Sequence, residues 1–303
     1  MSTASRVTTS RRDLGRHPRF AKISPSVGQL DEDAAAQHMR DDPDDALALL
    51  VEMTGATDEA LRELARRLAA RVLVDVARAG IARRRGVGRL ELQRASTTDG
   101  DVDVDASHEG IGAARAEQRR AGLDDLTVRS WRRPTTAVTL VVDRSGSMTG
   151  ARLAAAAVAA ATVVLRHPDD CSVITFSDDV VVLRSQDEIR SAEAVVGDLL
   201  RLRGHGTTDV ALALRAARGQ LDRTRAGRRV AVVLSDCRST VGDDATDAAA
   251  ALVAGAGVEL AIVAPADDPS DAAALAGAVG CRFVGLAGPS NAPEAMAGAL
   301  AID

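Results

Sequence analysis

The chain has 303 residues, 46% of them hydrophobic and 27% charged, enough for one large or two modest domains with a core of their own. With 38 Lys plus Arg against 43 Asp plus Glu, the net charge of −5 excludes a globally basic nucleic-acid binder, and an aromatic content of 1% removes the stacking platforms that single strands need. Lys22 is the only lysine, so the chain lacks the G-x-x-x-x-G-K-[ST] loop of a P-loop ATPase.

Cys171, Cys237 and Cys281 are odd in number, far apart and outside any C-x-x-C pair, which predicts neither a disulfide framework nor a zinc site and fits a reducing, cytoplasmic setting. The first twenty residues have no apolar leader. The longest apolar stretch, Leu153 to Leu165, is too short to cross a bilayer and reads as a buried helix, so no membrane insertion is expected.

In chain order, residues 1–40 open with six cations (Arg6, Arg11, Arg12, Arg16, Arg19, Lys22) against Asp13 over the first thirty positions and show no periodic pattern there, the features of a mobile basic tail. Residues 41–95 read as a helical segment. An apolar stretch from Leu47 to Met53 ends at Gly55, and a longer helix follows with Thr57 as N-cap and Gly80 as its stop. On that second helix Leu61, Leu64, Leu68, Val72 and Val76 form one stripe, which must pack on the rest of the chain or on a partner.

Residues 96–133 read as a connector. Its DGDVDVD run at 99–105 fails the calcium-hand pattern, because Val104 or Ala106 stands where glycine is needed and Gly110 or Gly112 where an acid is needed; a strand with one charged face is expected instead. A short helix from Ile111 to Arg120 and a strand from Leu126 to Trp131 should follow.

From residue 134 to 303 short apolar β runs alternate with helices. Strands are expected at 137–142, 172–176, 180–183, 230–234, 258–263 and 282–285, and helices at 151–166, 187–202, 210–223, 244–254, 270–279 and 292–300. The alternation predicts an α/β fold: a doubly wound, mostly parallel sheet flanked by helices, whose ligands bind outside the carboxyl ends of the strands.

The first of these strands runs into Asp143-Arg144-Ser145-Gly146-Ser147-Met148. Its D-x-S-x-S pattern places one short carboxylate and two hydroxyls at alternate positions of a tight loop, a set of hard oxygens suited to Mg²⁺ or Mn²⁺. Gly204-His205-Gly206-Thr207-Thr208-Asp209 precedes a later helix, and the strand at 230–234 ends in Ser235-Asp236. In a parallel sheet all three segments emerge at one edge, so Asp143, Ser145, Ser147, Thr208 and Asp236 can converge.

On these residues the stretch from about 134 to 300 resembles the von Willebrand factor A domain family with its metal-ion-dependent adhesion site. The resemblance implies that Ser145 and Ser147 coordinate Mg²⁺ directly, that Thr208 joins them in the ligand-ready state, and that Asp143 and Asp236 act largely through bound water. Thr208 is chosen over its neighbour Thr207 because G-x-T-D-V is similar to the family's G-G-T-D-I run. A first shell of neutral hydroxyls and water leaves the ion a net positive charge and an open position, which the Asp or Glu of a partner completes.

The D-R-S-G-S-M loop after Arg132-Arg133-Pro134, and the run Leu234 to Arg238, are similar to intracellular bacterial members associated with MoxR-type AAA+ ATPases, and also to chelatase D subunits. The leading expectation is a non-catalytic, cytoplasmic adaptor that joins such an ATPase to an acidic client. A subunit of a magnesium or cobalt chelatase is the alternative. Neither serine lies in G-x-S-x-G, and His17, His38, His108, His167 and His205 outline no triad. His205, near Thr208, and Cys237, where the family often has glycine, are expected to be an ordinary loop residue and an inert buried thiol.

Overall fold

The computed structural model describes residues 8–82, 89–97, 100–132, 136–146, 148–202 and 206–301. The chain forms two compact units, one made of residues 1–84 with 136–303, the other of residues 85–135.

The first unit begins with a helical layer: α1 (Arg11–Leu14), α2 (Phe20–Ile23), α3 (Glu32–Asp41), α4 (Pro43–Met53) and α5 (Glu59–Ala82). The expectation of a mobile tail over residues 1–40 does not hold from Thr8 onward. The charged surface of this stretch hides Leu14, Phe20 and Ile23, which are buried against Leu49, Met53, Leu61 and Ala65. The Thr9 N–H donates to the Gly55 carbonyl at 2.8 Å, and the Thr57 N–H to the Thr9 carbonyl at 2.9 Å. Short helices too weak to stand alone are thus held by tertiary burial, which a periodicity criterion does not register.

In the smaller unit β1 (Arg89–Arg94), β2 (Asp101–Asp103) and β3 (Thr127–Arg132) form an antiparallel sheet in the order β1-β3-β2, with α6 (Val104–Ala116) beside it. The acidic run is only half strand. Asp103 accepts the Ala106 N–H at 3.0 Å and caps α6, while its other oxygen accepts from Arg129 at 2.6 Å, so the helix starts seven residues before the expected position.

The rest of the first unit is the expected α/β layer structure. Its strands are β4 (Thr136–Asp143), β5 (Cys171–Phe176), β6 (Val180–Arg184), β7 (Arg228–Leu234), β8 (Glu259–Pro265) and β9 (Arg282–Leu286), in the order β6-β5-β4-β7-β8-β9. All pairs are parallel except the hairpin β5–β6. The helices are α7 (Gly150–Arg166), α8 (Ala192–Arg201), α9 (Val210–Leu221), α10 (Ala245–Ala250), α11 (Ser270–Val279) and α12 (Ala292–Ala299). Alternate residues of β4 serve opposite faces. Val138, Leu140 and Val142 join the core of α7, α8 and α12, while Ala137 and Val141 join that of α9, α10 and α11.

Helix α7 is apolar almost all round because α4 and α5 cover the side turned away from the sheet. The stripe on α5 therefore packs on its own chain. Of the expected stripe Leu61 and Leu68 are buried while Leu64, Val72 and Val76 are half-exposed; Ala65, Ala69, Leu73, Val74 and Ala77 are buried beside them. Ala69 and Ala77 of α5 lie in the same buried cluster as the alanines of α7. Among the described residues no helix is long and apolar enough to cross a membrane.

Candidate functional site

Three loops meet at the carboxyl edge of β4, β5 and β7. Strand β4 carries Asp143 to the sheet edge, where its side chain is 3% exposed. One carboxylate oxygen accepts the Ser145 N–H at 2.7 Å and the other accepts the Ser235 hydroxyl at 2.6 Å. Burial raises the Asp143 pKa; the hydrogen bonds from Ser235 and Ser145 oppose this, and the nearby charge of Asp236 adds to it. A carboxylate kept this dry beside a second one is an environment that favours a cation.

Ser235 ends β7 and joins the two strands. Its hydroxyl donates to Asp143 and accepts the Cys237 N–H at 2.8 Å. Cys237 takes φ +58°, the left-handed turn for which glycine is the usual residue, and this reverses the chain just after Asp236. Burial pushes its thiol up to about 12, which makes it a poor nucleophile. One Asp236 oxygen accepts the Arg238 N–H at 3.0 Å, and the Arg238 guanidinium pairs with Asp268 and Asp271 at the rim.

The third loop is latched to the second. The Thr208 N–H donates to the Thr240 hydroxyl at 2.9 Å, and the Thr208 carbonyl accepts the Thr240 N–H at 2.9 Å. Thr208 is buried and Thr207 exposed. Asp209 caps α9 through the Leu212 N–H at 2.8 Å, and its own N–H donates to the Ser177 carbonyl at 2.8 Å. Gly242, at φ +90°, passes so close to Asp209 that a Cβ would collide with the carboxylate.

The structure thus brings Asp143 and Ser145 into direct contact, sets Asp236 within charge range of Asp143, and ties the Thr208 loop to the loop that follows Asp236. Ser147 and His205 lie outside the described residues. Ser235, Arg144 and Ser177 complete the site without having been singled out by motif. Arg144 is almost fully buried; its guanidinium donates to Ser177 at 3.1 Å and pairs with Asp179. The available signal was a hydroxyl at the end of each apolar strand, Ser235 after β7 and Ser177 after β5. Among the described residues the side chains of Asp143, Ser145, Thr208 and Asp236 offer hard oxygens, a set that suits Mg²⁺ or Mn²⁺ rather than a softer ion.

Beside this edge lies a groove of about 490 Å³ lined by Met148, Arg152, Leu234, Pro265, Asp267 and Leu286. Gly150, at φ +52° where α7 begins, faces the Glu52 carboxylate of α4, so the helical layer reaches the mouth of the site.

Residues 137–281 match the model of the von Willebrand factor type A domain. No curated protein matches the chain. Similar solved structures include an aerotolerance-related membrane protein from Bacteroides fragilis NCTC 9343, with 17% identity and a TM-score of 0.43 over 54% of this chain and 98% of that one. A von Willebrand factor type A protein from Catenulispora acidiphila has 19% identity and a TM-score of 0.44 over 56% of this chain and 42% of that one. The manganese-loaded TRAP protein of Plasmodium vivax has 17% identity and a TM-score of 0.43 over 54% and 72%. The matched stretch begins in β4 and ends just before β9, taking in all three loops of the site.

Proposed function

We propose that this chain is a divalent-cation-dependent adaptor for protein–protein interaction. In this reading Asp143, Ser145, Ser147, Thr208 and Asp236 hold Mg²⁺, with Mn²⁺ as a substitute, and an acidic residue of a partner binds there. The carrying observation is the buried Asp143, hydrogen-bonded to both Ser145 and Ser235 beside Asp236. A bound cation supplies the positive charge that attracts and orients the partner's carboxylate.

The chain's own residues do the positioning. Ser235 and the Ser145 amide fix both Asp143 oxygens, so this carboxylate cannot swing out to meet water. Thr240 holds the Thr208 backbone from both sides and sets the height of its hydroxyl relative to the edge. The neighbouring groove offers an apolar seat for residues that flank the partner's acid. Von Willebrand A domains are generally non-catalytic interaction modules. The ATP-driven half of the system then belongs to a separate protein of the MoxR AAA+ type, since the chain has no P-loop lysine of its own.

The test is affinity capture from native lysate with Mg²⁺, with EDTA, and with an Asp143→Ala, Ser145→Ala variant. Recovery of an AAA+ ATPase or its client only with Mg²⁺ and the intact site is the expected result. Equal recovery in all three conditions would refute the reading.

A further inference from the structure

A second constellation lies in the helical layer, where motif reading assigned nothing. His17 stands between α1 and α2, His38 in the last turns of α3, and Asp45 in the first turn of α4. His17 Nε2 is 3.0 Å from one Asp45 carboxylate oxygen, and His38 Nε2 is 2.9 Å from the other. The two imidazoles meet edge to face with centroids 5.8 Å apart. All three potential ligand atoms lie within 4.8 Å of one another, the one such His, Cys and carboxylate group among the described residues.

His38 supplies the independent observation. Its side chain is 3% exposed, and its Nδ1 has no hydrogen bond among the described residues. Its Nε2 has Asp45 as its one close partner, at 2.9 Å, and that carboxylate is shared with His17. A buried imidazole with an unsatisfied nitrogen costs free energy. One cation placed among the two Nε2 atoms and the carboxylate would engage all three ligand atoms together, with the His38 ring proton left on Nδ1. Asp45 is 45% exposed, which leaves a route for entry and room for a water as fourth ligand.

We propose that His17, His38 and Asp45 form a second metal site, for a borderline divalent ion of the Zn²⁺ type. Two imidazoles and a carboxylate are the ligand set such ions prefer, whereas Mg²⁺ selects the all-oxygen edge of the sheet. A tetrahedral ion with bonds of about 2.0 Å sets its ligand atoms about 3.3 Å apart, so the present spacing needs only small side-chain shifts. Binding has one internal cost. His17 Nδ1 accepts the Arg19 N–H at 3.2 Å, which puts the ring proton on Nε2; metallation moves that proton to Nδ1 and ends this bond. No proton leaves the ring in this exchange, since the tautomer alone changes. The ion would tie the connection between α1 and α2 to α3 and α4, the part of the chain where helices are shortest.

The experiment uses the full chain carrying Asp143→Ala and Ser145→Ala, so that the sheet edge is silent, and measures Zn²⁺ stoichiometry and the visible spectrum of bound Co²⁺. Expected are one Zn²⁺ per chain, an intense four-coordinate Co²⁺ spectrum without thiolate charge transfer, and a shift of the His17 proton from Nε2 to Nδ1 in ¹⁵N NMR. His17→Gln, at a half-buried position that tolerates change, and the more buried His38→Gln should each weaken Zn²⁺ by more than about 100-fold, since even removing a residue behind a ligand costs 10 to 100-fold. No Zn²⁺ bound at micromolar concentration, an octahedral or thiolate Co²⁺ spectrum, or affinity unchanged in His17→Gln would overturn the proposal. The Co²⁺ and NMR measurements need no substitution in the cluster, so they decide even if His38→Gln fails to fold.

Discussion

At the carboxyl edge of β4 and β7 polar groups are held by residues from other loops: the buried Asp143 by Ser235, the buried Thr208 by Thr240, and the half-buried Asp209 by Ser177. In the helical layer over α4 and α5 the buried groups are mostly apolar, among them Leu47, Leu50, Met53 and Leu73, and they are held chiefly by area. The first arrangement fixes positions to within a hydrogen bond and is costly to leave unsatisfied; the second is forgiving in position and supplies stability. Within the helical layer the buried His38, which shares the Asp45 carboxylate with His17, is the place where a ligand is inferred.

The largest expected effect lies in the apolar region. Leu73→Ala empties a fully buried site between α5 and α7 and should cost about 2–5 kcal/mol in denaturant unfolding, while cation binding at the sheet edge persists in the protein that remains folded. If the mutation instead abolished cation binding in folded protein, the two regions would not be separable. Next comes Ser235→Ala, which strands one oxygen of the buried Asp143 and should cost about 1–3 kcal/mol together with a weakened cation affinity, read by calorimetry. Loss of stability without any change in affinity would place Ser235 outside the site.

A pH effect separates the far end of the sheet from the site. His167, at the end of α7 away from the loops, is pushed down to about 4, chiefly by burial and then by the charge of Arg166. The unfolded chain takes up the proton first, so stability present above pH 6.5 is lost as pH falls from 6.5 towards about 4. His167→Gln should remove that part of the slope, measured as the difference between the two unfolding curves across this window. An unchanged slope would show that His167 is solvated. The smallest effect is expected at Arg78, whose exposed pairs with Asp75 and with Glu193 of α8 join the helical layer to the domain; Arg78→Ala should change stability by no more than about 1 kcal/mol. A larger loss would mean that this charged rim, and not apolar area, holds the layer in place.

The same contrast explains what was legible in the sequence. Every strand and helix expected after residue 134 is present, most within two residues, because buried parallel strands are continuous apolar runs broken by polar loops. The expected helix start at Asp187 fails because residues 185–188 form a turn and Ser191 is the true N-cap, accepting the Ala194 N–H at 3.2 Å. At the site, Asp143, Ser145, Thr208 and Asp236 were visible as a spaced pattern, whereas Ser235 was not, since a lone serine at a strand end has no signature until its partner strand is known. In the helical layer periodicity located α5 and two buried positions of its stripe, Leu61 and Leu68, but it also took in the half-exposed Leu64, Val72 and Val76 and passed over the buried Ala65, Ala69 and Ala77, because small side chains weigh little in a pattern. Phe20 and Leu14 were unreadable as core, since each sits in a helix of four residues whose burial depends on α4 and α5.

The most direct test of the account is a Mn²⁺ titration followed by electron paramagnetic resonance on three proteins: the natural chain, Asp143→Ala and His38→Gln. The account predicts one Mn²⁺ site that Asp143→Ala abolishes, that His38→Gln leaves intact and that Mg²⁺ displaces. Equal Mn²⁺ binding by the natural chain and Asp143→Ala would contradict it.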